Sequence, residues 1–534
     1  MRQGLSKMQA GQNGFCPKCG HDMFTGAGST TNKTPKPRYR CSSCGHRTTT
    51  PSLEKPTDAE VVPMRKKLPV AKRYIITAAQ NATPVHKPTW EALQQAAKYY
   101  DAELVVVPGR YKNPTSQWTQ NNKEHDWWDS AVEKYLCDGR VNLNDRLVLL
   151  ADMKVAWAAK TPLVGMDELS KDKCGIVGHG SRGMRSIATP QYKHPKIMLT
   201  TGACTIPNYI DSKQGKIGMF NHCFGGLVVE ISENDIFFVR ELNATDDGHI
   251  IDLDVEFTPK EVLPSKPALS VTMGDIHHRW ILPKVVSATF TDPDSLVNLL
   301  KPQYLFWHDV IDFHTRNHHH NGDWIVKFTK WKFNKESVRT EIDEAMRFVN
   351  EHTPNGRRSV IVSSNHDRAM ERWLREADFR DDPVNTEFYL ECALRAVRSA
   401  RVTEGGVDYN DPFVDYARTL ANKNIQFLKP GESFVLARVE YSFHGDEGPN
   451  GSRGSTKNLS KIGVKTTKGH GHTAEIVNGC YSVGKSTGKL EYEGGGPSSH
   501  SNSHVVQYAN GKRTIIFIID GRFCLPRPRQ GKKE

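Results

Sequence analysis

Residues 268–277 read ALSVTMGDIH, an apolar run that ends in a glycine, an aspartate and a histidine. Four later segments repeat this grouping of an apolar run followed by possible metal ligands: HDVID at 308–312, SNHD at 364–367, FHGD at 443–446 and GHGH at 469–472. Short apolar runs bounded by turn residues are typical of buried strands. Because open α/β sheets place their active sites beyond the carboxyl ends of the strands, the order predicts an α/β fold with one site built from five loops.

Helical patterns separate the first of these apolar runs, and this alternation indicates an α/β domain. We expect strands at Ala268–Met273, Gln303–Trp307 and Ser359–Ser363, with helices near Asp294–Leu300 and at Glu336–His352 and further helices through Ala400. Later strands are expected near Ser433–Tyr441, Lys461–Lys465, His504–Tyr508 and Thr514–Ile519.

The length and composition favour a multidomain globular protein. A chain of 534 residues exceeds what one hydrophobic core usually serves. With 25% charged residues and no apolar stretch of about 18 residues, it is expected to be soluble, with no membrane partner. The first residues lack the apolar core of a secretory signal, so we expect a cytoplasmic protein. A formal net charge of +12 favours a polyanionic partner, with DNA as the first candidate, and leaves a homo-oligomer possible.

The N-terminal segment carries two CxxC pairs, Cys16 with Cys19 and Cys41 with Cys44. Their spacing is typical of a tetrahedral four-cysteine zinc site. We therefore expect residues 1–47 to form a zinc ribbon that binds a structural Zn²⁺ ion, either as a structural cap or as a contact to DNA or a partner. Residues 48–72, rich in threonine, proline and charge, are expected to be a linker.

Residues 73–262 form a second expected domain of α/β type whose role the sequence does not indicate. It opens with a strand at Arg73–Thr77, a helix at Thr89–Tyr100 and a strand at Leu104–Val107, which together predict a βαβ unit. Further β-like segments follow, among them Ile250–Phe257. The third expected domain spans residues 263–534 and contains the five clusters.

The clusters resemble, in order, the five motifs of the calcineurin-like metallophosphoesterase superfamily, which run D-x-H, G-D-x-x-D, G-N-H-D/E, H and G-H-x-H. The resemblance covers about residues 268–475, and His308 and Ser364 replace glycines of the second and third motifs. Those glycines serve a tight turn, so the replacements concern the backbone more than metal ligation. The resemblance implies a four-layer αββα phosphoesterase domain and is nearest to the nuclease branch, which includes double-strand-break repair nucleases.

The resemblance also implies two metal sites that share a bridging aspartate. One would use Asp275, His277, Asp309 and His472. The other would use Asp309, Asn365, His444 and His470. Histidine, amide and carboxylate ligands without thiolate suit Mn²⁺, Fe or Zn²⁺, and Mn²⁺ is our first expectation.

Three residues beside the ligands take catalytic roles by the same resemblance. His366 would face the scissile phosphate as a general acid or transition-state donor. Asp312 would orient the ligands. His314, in DFHTRNHHH, is similar to an extra histidine of the nuclease members, although a solvated histidine run is an equally reasonable interpretation.

The function expected from these features is that of a metal-dependent DNase with a two-metal mechanism, of the kind that degrades host DNA in the host cytoplasm during infection by large tailed phages. The alternative is a phosphomonoesterase that acts on nucleotides or phosphoproteins with the same metals. Phe313 follows Asp312 where phosphoprotein phosphatases usually have arginine, which counts against the phosphoprotein branch. A non-catalytic DNA-binding or scaffolding protein is a third possibility, which the full ligand set disfavours.

Overall fold

The computed structural model describes residues 24–29, 37–41, 47–49, 64–113, 118, 127–190, 193–320 and 322–527. The chain divides into two compact units, Met1–Pro63 and Met64–Glu534. Within the described ranges, no helix is both long and apolar enough to cross a membrane.

The smaller unit contains a three-stranded antiparallel sheet of strands β1 (Phe24–Ser29), β2 (Pro37–Cys41) and β3 (Arg47–Thr48). Cys41 ends β2 and is buried. The other expected zinc ligands, Cys16, Cys19 and Cys44, lie outside the described residues. The zinc ribbon therefore stays a prediction.

The larger unit mixes α and β structure. In the described residues its strands are β4 (Arg73–Gln80), β5 (Glu103–Gly109), β6 (Arg140–Asn142), β7 (Leu147–Leu150), β8 (Cys174–Val177), β9 (Met184–Ile187), β10 (Lys196–Thr200), β11 (Gly225–Ile231), β12 (Phe237–Asn243), β13 (Ile250–Asp252), β14 (Val255–Phe257), β15 (Val262–Pro264), β16 (Ser270–Thr272), β17 (Tyr304–Trp307), β18 (Arg358–Ile361), β19 (Arg401–Thr403), β20 (Gly406–Asp408), β21 (Ile425–Phe427), β22 (Val435–Leu436), β23 (Val439–Glu440), β24 (Lys465–Lys468), β25 (Glu475–Val477), β26 (Cys480–Ser482), β27 (Ser503–Gln507) and β28 (Arg513–Phe517). Its α-helices are α1 (Lys87–Tyr100), α2 (Ser130–Glu133), α3 (Met166–Leu169), α4 (Lys213–Asn221), α5 (Pro283–Val286), α6 (Leu296–Leu300), α7 (Trp324–Lys332), α8 (Val338–Glu351), α9 (Ala369–Glu376), α10 (Thr386–Ser399), α11 (Pro412–Leu420) and α12 (Thr456–Leu459).

A six-stranded sheet in the order β21-β18-β17-β16-β27-β28 carries the first three clusters. Its strands β16, β17, β18 and β21 are parallel. Helix α8 crosses between β17 and β18, and the expected apolar stripe of this helix is fully buried: Val338, Ile342, Met346 and Val349. This stripe fixes the helix against the sheet.

A ten-stranded sheet in the order β22-β23-β24-β26-β25-β9-β10-β8-β7-β6 carries the last two clusters. It joins strands from both sides of the boundary expected at residue 262, which therefore falls inside one compact unit. A separate sheet, β12-β11-β4-β5, contains the expected βαβ unit, in which β4 and β5 are parallel and α1 lies between them in the chain.

The two sheets with the clusters pack face to face. Buried Phe306 of β17 and Val360 of β18 belong to one hydrophobic cluster with Tyr441, which follows β23, and the rings of Phe306 and Tyr441 stack with centroids 4.2 Å apart. This contact brings loops from both sheets to one place. The complete four-layer αββα arrangement remains an expectation from the resemblance.

Three expected strands differ in the structure. Ile250–Phe257 and Ser433–Tyr441 are not single strands, because each turns into a hairpin, β13 with β14 and β22 with β23. The turns use residues at positive φ, including Leu253 (54°) and Arg438 (65°), which the sequence does not mark with glycine or asparagine. Lys461–Lys465 is also wrong, since the strand before GHGH is Lys465–Lys468.

Candidate metal centre

The seven expected ligands of the five clusters meet in one place. They follow the carboxyl ends of β16, β17 and β18 in one sheet and of β23 and β24 in the other: Asp275, His277, Asp309, Asn365, His444, His470 and His472. Carboxyl ends of neighbouring parallel strands share one edge of a sheet. The two packed sheets therefore supply ligands from both sides.

The first group consists of Asp275, His277, Asp309 and His472, all buried, with one ligand atom from each within 4.8 Å of the others. The Nε2 atoms of His277 and His472 lie 3.2 Å apart. His472 Nε2 is 3.4 Å from Asp275 Oδ2, and His277 Nε2 is 3.7 Å from Asp309 Oδ2. These four atoms surround a common point, as ligands of one cation would.

The second group shares Asp309 with the first. His444 Nε2 lies 3.2 Å from Asp309 Oδ2 and 3.0 Å from Asn365 Oδ1. His470 Nδ1 lies 3.1 Å from the same Asn365 oxygen. Asp309 Oδ2 therefore faces histidines of both groups, which is the position that the resemblance implies for a bridging carboxylate.

The hydrogen bonding of Asp275 indicates that these donor atoms suit a divalent cation. Both carboxylate oxygens of Asp275 are buried and have no hydrogen-bond partner. An unpaired buried carboxylate is costly, and burial, with a smaller contribution from the charge of Asp309, raises the pKa of Asp275 to about 6. A divalent cation between these oxygens and the neighbouring imidazoles would remove that cost. The donor set has no thiolate, which suits Mn²⁺, Fe or Zn²⁺.

Burial and neighbouring carboxylates set the protonation states of the expected histidine ligands. Burial lowers the pKa of His470 to about 4 and that of His472 to about 3. Both rings are therefore uncharged at neutral pH and could each offer a nitrogen lone pair to a cation. The pKa of His277 rises instead to about 9, because its bond to Asp312 and the charge of Asp309 outweigh burial. Binding of a cation would therefore displace a proton from His277.

Several ligands occupy left-handed backbone conformations. The φ angles are 39° at His277, 44° at Asp309, 66° at His470 and 50° at His472. Such conformations cost on the order of 1 kcal/mol or more at non-glycine residues and concentrate at functional sites. The strand ends thus hold the ligand-bearing loops in strained shapes.

His308 and Ser364 stand where the resembled motifs have glycine. Neither residue has a positive φ, so the backbone at these positions does not require glycine. His308 is buried, and its Nδ1 lies 3.3 Å from Nδ1 of His444. The hydroxyl of Ser364 donates to Asp367, whose other oxygen accepts from the backbone of Ile311. Both replacements are therefore compatible with the loops.

His366 lies beside the bridging residue. Its backbone N–H donates to Asp309 Oδ1 at 3.3 Å, and its ring Nδ1 donates to the carbonyl oxygen of Asp312 at 2.9 Å. A carbonyl can only accept, so the proton sits on Nδ1 in the neutral ring. Nε2 is then the atom that can take up and deliver a proton.

Asp312 contacts an expected ligand from the side away from the other donor atoms. Its Oδ1 lies 3.0 Å from Nδ1 of His277, and its Oδ2 accepts from the indole N–H of Trp280 at 3.1 Å. Although burial opposes it, these contacts lower the pKa of Asp312 to about 2. A charged carboxylate on the far nitrogen of His277 fixes the ring orientation and its basicity.

His314 lies outside the two groups. Its Nδ1 is 4.0 Å from Asp312 Oδ2, and its ring contacts those of Trp280 and His320. With His320 and Glu491 it forms another cluster of possible ligands. Burial and the neighbouring Lys330 ammonium lower the pKa of His314 to about 4.

A loop after the last motif, which the sequence analysis did not single out, contacts two of the expected site residues. Glu493 Oε1 lies 3.0 Å from Nδ1 of His472, and Lys485 and His500 contact the same carboxylate. The ring of Tyr492 lies over His366, with centroids 5.7 Å apart. The only hint in the sequence is a pair of acidic residues around a tyrosine before three glycines, EYEGGG at 491–496.

No protein-family model matches the chain. A comparison with characterised proteins finds similarity to "Protein A1" of Escherichia phage T5. The two sequences are 35% identical over 471 residues, which cover 85% of this chain and 83% of that protein.

Proposed function

This chain belongs to the same family as Protein A1 of Escherichia phage T5, and from its metal centre we propose that it is a metal-dependent phosphodiesterase that hydrolyses DNA. It is a phage-related protein, and host DNA would be its substrate during infection. The observation that carries the proposal is the pair of donor groups that share Asp309, one of which contains the unpaired carboxylate of Asp275.

Phosphodiester hydrolysis needs a nucleophile, charge neutralisation and a proton for the leaving alkoxide. Two bound divalent cations supply hydroxide at neutral pH and neutralise the phosphoryl oxygens. His277 and His472 would hold one cation with Asp275. His444, His470 and Asn365 would hold the other, and Asp309 would lie between them.

The protein itself supplies the proton. His366 is held by its Nδ1–H bond to the Asp312 carbonyl, which leaves Nε2 as the atom that can protonate the leaving oxygen. Asp312 and Glu493 each contact the distal nitrogen of a ligand histidine and keep its metal-facing nitrogen in place. The formal net charge of +12 favours DNA over a neutral substrate.

The test couples metal analysis to digestion of linear and circular DNA with Mn²⁺. We expect two bound Mn²⁺ ions per chain in addition to the structural Zn²⁺ ion of the ribbon, and release of nucleotides or nicked circles. Asp309→Ala is expected to lose metal occupancy at both sites. His366→Ala is expected to keep both ions and to lose turnover by about 100-fold or more, the usual range for a general acid.

The outcomes separate the alternatives. Good turnover of small phosphate monoesters without cleavage of any DNA would replace the nuclease by a phosphomonoesterase. Full activity of His366→Ala would remove the general-acid assignment, while metal binding by Asp309→Ala at wild-type stoichiometry would remove the shared site.

A further inference from the structure

Two partly exposed aromatic rings flank the metal centre. Tyr492 is 52% exposed, and its ring centroid lies 5.7 Å from that of His366 and 6.5 Å from that of His277. Trp280 is 42% exposed and donates its indole N–H to Asp312. Neither ring is needed to hold a cation. Both present apolar faces where the nucleosides next to a scissile phosphate would lie.

A row of further apolar side chains, three of them aromatic, lies on helix α7. Trp324, Ile325, Phe328 and Trp331 share one face at helical spacing, and they are between 51% and 73% exposed. Exposed apolar patches of this kind mark interaction sites. The exposed Lys327 and Lys332 on the same short helix give the surface a positive charge.

Helix α7 is fastened to the wall of the centre. Its buried Lys330 donates to the carbonyl of His314 at 2.6 Å and lies 3.1 Å from Nδ1 of His320. His320 Nε2 is 3.7 Å from Glu491, the residue before Tyr492. A chain of contacts thus connects the aromatic helix with the ring that covers His366.

We propose that the aromatic surface formed by Tyr492, Trp280 and the exposed face of α7 binds unpaired nucleotides, so that the substrate is single-stranded DNA or a frayed DNA end. This rests on the proposed function and specifies its substrate. Stacking on a side chain requires an accessible base face, which an intact duplex offers only at its ends.

The charge and the position of the surface favour a nucleic acid over a protein partner. Lysines next to aromatic rings suit a polyanion whose bases stack while its phosphates meet ammonium groups. A protein that covered Tyr492 would also block access to His366. A strand can instead leave its phosphate at the metal centre and its bases on the rings.

The experiment measures binding without metal. Fluorescence anisotropy of a labelled 12-nucleotide single strand and of a blunt hairpin duplex is recorded with the full chain in EDTA. We expect the single strand to bind more tightly than the hairpin. Replacing Phe328 and Trp331 together by serine should weaken single-strand binding about five- to 100-fold, and Tyr492→Ala should also weaken it, while Tyr492→Phe keeps the ring and the affinity.

Phe220→Ser is the matched control, because Phe220 is 88% exposed on helix α4, in the segment before β11. The inference is overturned if the duplex binds as well as the single strand, or if the α7 variant binds within twofold of the wild type. A change in the oligomeric state of that variant, with unaltered strand affinity, would instead make α7 a contact between copies of the chain.

A second readout keeps the two proposals apart. Hydrolysis of methyl p-nitrophenyl phosphate with Mn²⁺ reports on the metal centre without requiring a strand. If the wild type fails to hydrolyse this diester, the proposed phosphodiesterase falls, while the binding measurement in EDTA still decides whether the aromatic surface recognises single strands.

Discussion

Replacing Glu493 by glutamine tests whether the loop after the last motif contributes to the metal centre. Glu493 accepts from Nδ1 of His472 at 3.0 Å, from Lys485 at 2.6 Å and from the backbone N–H of Leu490 at 3.0 Å. Glutamine has nearly the same size but carries no charge, and its NH₂ group cannot accept from these donors. The ring of His472 therefore loses its charged partner while the surrounding volume is kept.

The expected loss follows from the role of such partners. Carboxylates that contact the distal nitrogen of a ligand histidine typically contribute 10- to 100-fold in metal affinity, which is about 1.4–2.7 kcal/mol. Mn²⁺ binding to metal-free protein, followed by isothermal titration calorimetry, should show this weakening for the group that contains His472. The group of Asn365, His444 and His470 should be affected less, because Glu493 contacts none of its members among the described residues.

Glu491→Gln supplies the control for the same loop. The Glu491 side chain is 59% exposed and lies 3.7 Å from His320 rather than from a ligand of the two groups. The Glu491→Gln variant should leave the Mn²⁺ affinity of the two groups within about twofold of the wild type. If Glu493→Gln did the same, Glu493 would not support His472, and the loop would have no part in metal binding.

Two further predictions concern packing and buried charge. In Gly469→Ala, the new Cβ would lie 2.4 Å from Asp275 Oδ1. We therefore expect the Asp275 carboxylate to be displaced and the Mn²⁺ occupancy in a metal analysis to fall. Normal occupancy would contradict this geometry. Arg240→Met leaves the buried carboxylates of Glu230 and Asp252 without their shared partner, and urea unfolding at neutral pH should show a loss of about 3–5 kcal/mol. Burial raises the pKa of Glu230, but the charge of Arg240 outweighs burial and holds this pKa below 4.5. The stability that the ion pair contributes is therefore present above pH 4.5 and is lost as the pH falls through the lower pKa of the folded state. A wild-type free energy of unfolding that stays constant through this acid range would contradict the assignment.

The clusters were visible in the sequence because each follows a strand end, and the resemblance to the five motifs supplied the expected ligands within them. The run before Asp275 and the run before Asp309 end in polar residues at the point where β16 and β17 leave the sheet. Parallel neighbours then place those residues side by side, whatever the rest of the fold does. The buried stripe of α8 was predictable for a related reason, since its helical period is visible over several turns.

Glu493 and Tyr492 could not be found in this way. They lie in an irregular loop that has no period, and their contacts with His472 and His366 depend on where the tertiary fold places that loop. The pairing of strands from before and after residue 262 in one sheet could not be predicted for a similar reason. Met184 of β9 pairs with Ile476 of β25, nearly 300 residues away, and no local pattern records such a pairing.

Both donor groups draw on both packed sheets. His472 follows β24 of one sheet, whereas Asp275 and His277 follow β16 of the other, and the second group combines Asn365 with His444 in the same way. The left-handed backbone at several expected ligands then lies at the ends of strands from both packed sheets. Because packed layers resist small displacements, the expected ligands are positioned by folding and would not need a cation to bring them together. If ions bind as proposed, a centre built in this way would lose little conformational entropy, and this preorganisation is what the proposed catalysis by positioned charge would require.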